Sequence, residues 1–392
     1  MQRKGLFKYL HGDMGIWLIV MLLSIFSILA VYSSTGSLAY RFQSGNTAYY
    51  VLKHGLILIF GWFLMYGAHL IPYNYYSRIS QLLFVVSVPL LLFTMLTGSS
   101  INGASRWMTV PIINISFQTS DLAKLALVMY LARQLSKNKN KVNEPKTFFM
   151  IFGSAILVCL LIFPENFSTS ALLMTTSVAL MFFGGVNMRY MMGIAGTGIV
   201  AILMLLTVFY TVPEEALPGR FATWKNRIET FGGNGDSDAN YQAEQAKIAV
   251  ASGGFFGKLP GNSTQRNYLP HPYSDYIYAI IIEEYGMLGG MLILMFYLWF
   301  FYRGIRIARD CEGTFGCYLV LGICLILTLQ ALINMAVAVD LFPVTGQPLP
   351  LLSMGGTSLW FTALGIGIVL SVSVAVENQG KGRNIDESTV NS

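Results

Sequence analysis

GIWLIVMLLSIFSILAVYS, residues 15–33, carries no charged side chain. A bilayer core of roughly 30 Å needs about 20 helical residues, and this run supplies that length. More apolar runs follow it directly, with no small-residue cleavage site leading into a soluble domain. It therefore reads as a retained helix and not as a removed leader. Comparable runs occupy 49–70, 78–96, 120–135, 147–163, 168–183, 191–212, 276–301, 315–339 and 356–376. The run at 120–135 is short and contains Lys124 and Arg133. Membrane strands would show alternation over about ten residues at a time. These runs are continuous and rich in Leu, Ile, Met and Phe, which predicts helices. The expected fold is an all-α polytopic membrane protein with ten transmembrane helices, residues 1–392 forming a single integral domain.

Composition agrees. Of 392 residues, 54% are hydrophobic and 11% charged, and mean hydropathy is +0.57. A soluble domain carries about 25% charged residues, so lipid is the natural solvent for this surface. The net charge of +6 does not imply a nucleic-acid partner, because the basic residues sit mostly in short loops and report orientation first. One set of loops holds Arg3, Lys4, Lys8, Arg78, Lys137, Lys139, Lys141, Lys146, Arg189, Arg303, Arg306, Arg309, Lys381 and Arg383. The opposite short loops hold Arg41 and Arg106. Both termini are then cytoplasmic, which an even number of spans allows. The large loop 213–275, between helices 7 and 8, is extracytoplasmic, and 378–392 is a short cytoplasmic tail. Cys159, Cys311, Cys317 and Cys324 give no CxxC spacing and no disulfide framework.

The polar, Gly and Pro clusters fall on the outer loops 102–119, 164–167, 213–275 and 340–355. A transporter would be expected to place such residues at the midplane, in paired broken helices. An enzyme acting on an outward-presented substrate would be built as this chain is.

The densest cluster is DLFPVTGQPLPLLSMGGTS, 340–358. Its prolines and glycines leave backbone groups without helical partners, so it must be buried in protein or line a cavity. It is either a plain re-entrant connection or a headgroup and sugar site that includes Thr345, Ser353, Thr357 and Ser358. In 118–126, QTSDLAKLA, Asp121 and Lys124 are three residues apart and can pair on one helix face. A charge within a span is a functional candidate; a purely structural ion pair is the rival reading. Arg106 beside Trp107 is either an interfacial anchor or a ligand for an anion. Asp275 opens the run 276–301, where an Asp also serves as an N-cap. Glu283 and Glu284 lie two turns deeper, and at that spacing at least one lies near the Asp275 face. In the large loop, 224–231 and 240–251 show helical character around the polar tract GGNGDSD, 232–238.

These stretches together resemble the SEDS family of peptidoglycan glycosyltransferases. Residues 343–358 match its signature PVTGxPLPxxSxGGSS at nearly every defined position, with Thr357 for Ser. Residues 103–107 and 118–126 resemble GxxRW and QPSExxKxA, with Thr119 for Pro and Asp121 for Glu. Residues 163–172 stand where the family has QPDxGTxxL. There Glu165 is the nearest acid, Asn166 lies near the Asp position, Ser168 takes the Gly and Thr169 is kept. Residues 261–286 resemble GNSxQxxxxLPxxHTDFIFAxxxEExG, with Tyr273 for His and Ser274 for Thr. Lys53-His54 stands where the family often has Lys-Arg-Gln.

The resemblance implies polymerisation of lipid II, the undecaprenyl-diphosphate-linked disaccharide pentapeptide, on the outer face of the bacterial cytoplasmic membrane. Asp275 falls on the family's essential Asp and is expected to act as general base. Substrate contacts are expected from Lys53, Arg106, Lys124, Thr169, Gln265, His271, Ser274, Thr345, Ser353 and Ser358. Asp121, Glu165, Glu283 and Glu284 are expected in structural or relay roles. No residue is assigned as a metal ligand; a divalent cation (Mg or Mn) could share the charge on the diphosphate. A class B penicillin-binding protein transpeptidase, other division proteins and membrane lipid are the implied partners. Within the family, the 346–358 variant and the GNSTQ tract resemble the division members, in a Bacteroidota-type pattern, with action at the septum. An elongation-type polymerase and a lipid II flippase are the alternatives.

Overall fold

The computed structural model describes residues 10–97, 99–101, 104–110, 115–213, 216–217, 220–231, 237–270 and 272–390. The first four helices are α1 Met14–Ser34, α2 Gly36–Phe42, α3 Thr47–Leu70 and α4 Tyr73–Thr97. Three short strands follow, β1 Ser99–Ile101, β2 Ala104–Val110 and β3 Ile115–Gln118. Then come α5 Thr119–Lys137, α6 Pro145–Ile162, α7 Phe167–Phe183, α8 Met188–Thr211, α9 Phe221–Phe231 and α10 Ser237–Gly253. The chain continues with α11 Ile277–Asp310, α12 Thr314–Ala338 and α13 Thr357–Val390. Several starts are fixed by side-chain caps: Asp13, Asn46, Asn166 and Asn187 each accept a hydrogen bond from a backbone N–H of the first turn.

Among the described residues, eight helices are long and apolar enough to cross a membrane: α1, α3, α4, α6, α8, α11, α12 and α13. α5 and α7 stand apart from them for different reasons. α7 is apolar but has 17 residues. α5 carries Asp121, Lys124, Arg133 and Lys137, yet it is among the most buried helices, with Ala123, Leu127, Val128, Met129, Leu131 and Leu135 fully enclosed. It can hold charges because neighbours, not lipid, surround them. α12 packs on α5, α7 and α11; α13 packs on α3; α4 packs on α5; α1 packs on α11. α8 differs, since Phe209 is its one buried residue among those described.

The expectation of a wholly α chain is corrected in the loop before α5. There β1, β2 and β3 form an antiparallel sheet, with β2 and β3 in register from Trp107 opposite Gln118 to Val110 opposite Ile115. Pairing gives the backbone of these strands its hydrogen-bond partners. α9 covers the 224–231 stretch expected to be helical, and α10 covers 240–251.

The connections segregate to two ends. At one end, Arg227 Nη1 of α9 donates to the Val344 carbonyl (3.0 Å), Arg220 Nη1 to the Glu165 carbonyl (3.1 Å), and Thr357 Oγ1 to the Ser116 carbonyl of β3 (3.4 Å). At the other, Arg303 pairs with the Asp13 cap, and Glu377 accepts from the Gly12 N–H (3.1 Å).

α11 is broken at Gly286, where φ is 71° and ψ −174°. That region of backbone space is essentially restricted to glycine. The break lets residues 253–258 insert: Lys258 N–H donates to the Glu283 carbonyl (2.9 Å) and Met287 N–H to the Gly254 carbonyl (2.9 Å). A Cβ on Gly286 would lie 2.3 Å from the Phe255 carbonyl oxygen. Gly286→Ala is therefore expected to lose folded protein, from backbone strain of about 1–3 kcal/mol plus a backbone clash. Size-exclusion yield and melting in detergent read this, and a wild-type melting curve would show that the loop does not depend on the break.

Candidate active site

Asp275 lies one residue before α11's N-cap Tyr276 and is half-buried. Ser274 Oγ donates to its Oδ1 (2.9 Å). The backbone around it is stapled to the 343–356 segment. Met354 N–H donates to the Tyr273 carbonyl (2.9 Å), and Ser353 Oγ donates to the Ser274 carbonyl (2.6 Å) while accepting from Leu349 N–H (2.8 Å). Asn334 of α12 is fully buried, and its Nδ2 donates to the carbonyls of Asp275 (3.0 Å) and Gln347 (2.7 Å). Gln347 Nε2 then reaches Thr169 Oγ1 at the start of α7 (2.5 Å). The proline-rich segment, which cannot satisfy itself, is thus satisfied by side chains of neighbouring helices.

Gly346 turns this segment at φ 63°. A Cβ there would stand 3.8 Å from Asp275 Oδ2 and 4.0 Å from Arg227 Nη2. Carboxylate and guanidinium therefore flank one glycine. Burial draws the Arg227 guanidinium below its usual pKa, Arg220 adds to this, and Asp275 opposes it. Burial raises the Tyr276 phenol, and Asp275 raises it further. Beside Arg227 lies a hollow of about 190 Å³ whose lining includes Thr230, Lys247, Asp340 and Val344. Lys247 and Asp340 pair there at 3.0 Å.

A second polar cluster lies between α5, α12 and α13. Lys124 Nζ is 2.8 Å from Asp121 Oδ1 and donates to Gln330 Oε1 (3.2 Å). Gln330 Nε2 donates to the Pro348 carbonyl (2.9 Å). Asp121, Lys124 and Gln330, with Ser358 and Thr362, line a small hollow of about 30 Å³.

Glu283 and Glu284 form a third cluster. Glu283 accepts from Lys258 Nζ (2.7 Å), Ser263 Oγ (2.5 Å), Thr264 N–H (3.1 Å) and Gln265 N–H (3.3 Å). Glu284 accepts from Ser33 Oγ and Ser263 N–H. Both carboxylates anchor the 263–265 loop, and among the described contacts neither is bonded to Asp275.

Ser274 is thus joined directly to Ser353, and Asp275 through Asn334 and Gln347 to Thr169. Lys124, Asp121 and Ser358 meet in the second cluster. Gln265 stays with Glu283. Glu165 meets Arg220, and Thr345 is half-buried beside Gly346. Lys53 is exposed on α3, while His54 next to it is buried against Ser27 Oγ (2.7 Å). Arg106 lies in β2, with its side chain outside the described residues, as is His271. Among the described residues no group of three or more His, Cys, Asp or Glu side chains forms a metal cluster.

Sequence reasoning missed three residues: Arg227, Gln330 and Asn334. Arg227 stands in a long loop, where basic residues carry little topological information. Gln330 and Asn334 are uncharged, but their spacing of four residues within an apolar run was a readable signal of one polar helix face.

Apolar helices around a polar cluster gathered at one end define a multi-pass membrane protein. Residues 13–378 match the profile of the FtsW/RodA/SpoVE cell cycle protein family, and the chain belongs to that family. It is 31% identical to a probable peptidoglycan glycosyltransferase FtsW of Geobacter sp. strain M18, covering 92% of this chain and 96% of that protein. A chain from a solved peptidoglycan synthase complex, described as coordinating polymerization and crosslinking, superposes with TM-score 0.75 at 20% identity. That match covers 93% of this chain and 98% of the other. The rod shape determining protein RodA of Thermus thermophilus superposes with TM-score 0.65 at 20% identity, over 92% and 96% of the two chains.

Proposed function

We propose that this protein is a peptidoglycan glycosyltransferase that polymerises lipid II, with Asp275 as general base. The observation that carries the mechanism is that a half-buried carboxylate, Asp275, and a half-buried guanidinium, Arg227, both flank Gly346. In the reaction, the 4-hydroxyl of one disaccharide attacks the anomeric carbon of another. Asp275 takes the hydroxyl proton, and the bond to the lipid diphosphate breaks with its electrons. Cations nearby stabilise the departing charge; Arg227 and Lys124 are the described candidates. Attack opposite the leaving group inverts an α donor to a β-linked product.

The FtsW name of the 31% identical relative supports this reading, as does its coverage of nearly the whole chain. We also read ten spans, counting α5 and α7, with both termini cytoplasmic and 213–275 outside. The family neighbour in a peptidoglycan synthase complex supports a class B penicillin-binding protein as partner. Work at the division septum with other division proteins follows from the same reading.

Purified protein reconstituted with its cognate transpeptidase and lipid II is expected to yield glycan strands on a gel. Lipid II crossing vesicles without any polymer would replace this reading with a flippase.

A further inference from the structure

α12 brings two amide side chains to one backbone segment. Gln330 and Asn334 are four residues apart, a rise of about 6 Å on one helix face. Each donates to a carbonyl of consecutive residues: Gln330 to Pro348 and Asn334 to Gln347. Each also holds a group on its far side. Gln330 Oε1 accepts from Lys124 Nζ, and the second N–H of Asn334 goes to the Asp275 carbonyl. Both neighbours of the Asn334 amide nitrogen are carbonyl oxygens, which can only accept, so the NH₂ group must face them. Both residues are almost fully enclosed, at 2% and 1% exposure, so water does not compete for these bonds.

We infer that Gln330 and Asn334 are a positioning pair that fixes the separation between Lys124 and Asp275 across the Gln347–Pro348 backbone, Asn334 setting the base and Gln330 the cation. This rests on the glycosyltransferase reading above. Base and cation act on opposite ends of one displacement, at the attacking hydroxyl and the departing diphosphate. Their spacing must therefore match the substrate. A helix face is a stiffer ruler than a loop, and a misplacement of about 1 Å can cost about 10²-fold in rate.

The two residues should separate kinetically. Asn334→Leu removes both donors at similar volume. It is expected to lower kcat about 30- to 100-fold per folded molecule, with KM for lipid II within about threefold. Asn334→Asp places acceptors against two carbonyls and should lower kcat at least as far. Gln330→Leu removes one of the two described holds on the Lys124 ammonium, leaving Asp121, and should raise KM more than it lowers kcat.

Backbone amide exchange gives a readout apart from turnover. In Asn334→Leu, exchange should rise in both 273–276 and 344–348, because one side chain staples them together. If wild type makes no polymer, the glycosyltransferase reading fails, and the exchange result still decides the staple. The inference is overturned if either Asn334 variant keeps kcat within threefold of wild type. Exchange that stays flat in both segments also overturns it. So does rate loss that only tracks loss of folded protein in both variants, since Asn334 would then be a stability residue.

Discussion

Asp275→Asn is expected to abolish glycan synthesis while leaving a folded protein. General-base catalysis contributes about 10²- to 10⁴-fold, and no second carboxylate is bonded to Asp275 among the described contacts. The amide keeps the shape of the side chain and an oxygen that can accept from Ser274. Asp275's backbone carbonyl, which Asn334 holds, is untouched. Lipid II binding should therefore persist, and the loss should appear in kcat. Asp275→Glu should retain a fraction of the rate, since its carboxylate is displaced by one methylene. Single-turnover assays with labelled lipid II, run beside a binding measurement, separate the two effects. An Asn variant polymerising at the wild-type rate would remove Asp275 as the base.

Arg227→Ala should cost nearly as much. Removing one preorganised charge-stabilising donor typically costs about 10²- to 10³-fold in rate. Arg227 does two things that a smaller cation cannot do together. One nitrogen is spent on the Val344 carbonyl, holding the segment that carries Gly346. The other faces the side of Gly346 where Asp275 stands. Arg227→Lys keeps a point charge but loses the fork, so an intermediate rate is expected, nearer to Ala than to wild type. Retention of more than a third of the activity in Arg227→Ala would reduce the residue to a loop anchor.

The sequence was most legible where lipid enforces a simple rule. Residues 15–33 were expected as a span, and α1 covers Met14–Ser34. The run at 49–70 corresponds to α3, Thr47–Leu70. Hydropathy was a poor guide to where helices stop. The run at 276–301 became α11, which ends at Asp310, because Arg303, Arg306 and Arg309 are good helix formers beyond the apolar stretch. The sheet at 99–118 was invisible because its strands are short and only β2 is long enough to show alternation. The segment 343–358 was recognisable as a motif, but its partners were not. Its neighbours Thr169, Asn334 and Ser274 come from three other parts of the chain, and only packing brings them together. The break in α11 was hidden as well: Gly286 reads as one glycine in a helical run, and its positive φ depends on a loop some thirty residues upstream.

The way 343–358 is held has a consequence for biogenesis. Its carbonyls are taken up by Arg227, Gln330 and Asn334, and its side chains by Thr169 and Ser274. All of these are synthesised before it, so the cradle precedes what it cradles. Translation of α13 follows that of this stretch. A nascent chain halted before residue 343 would hold α1 to α12 and still be chemically inert, because the segment that ties Arg227 to the Asp275 loop would be absent.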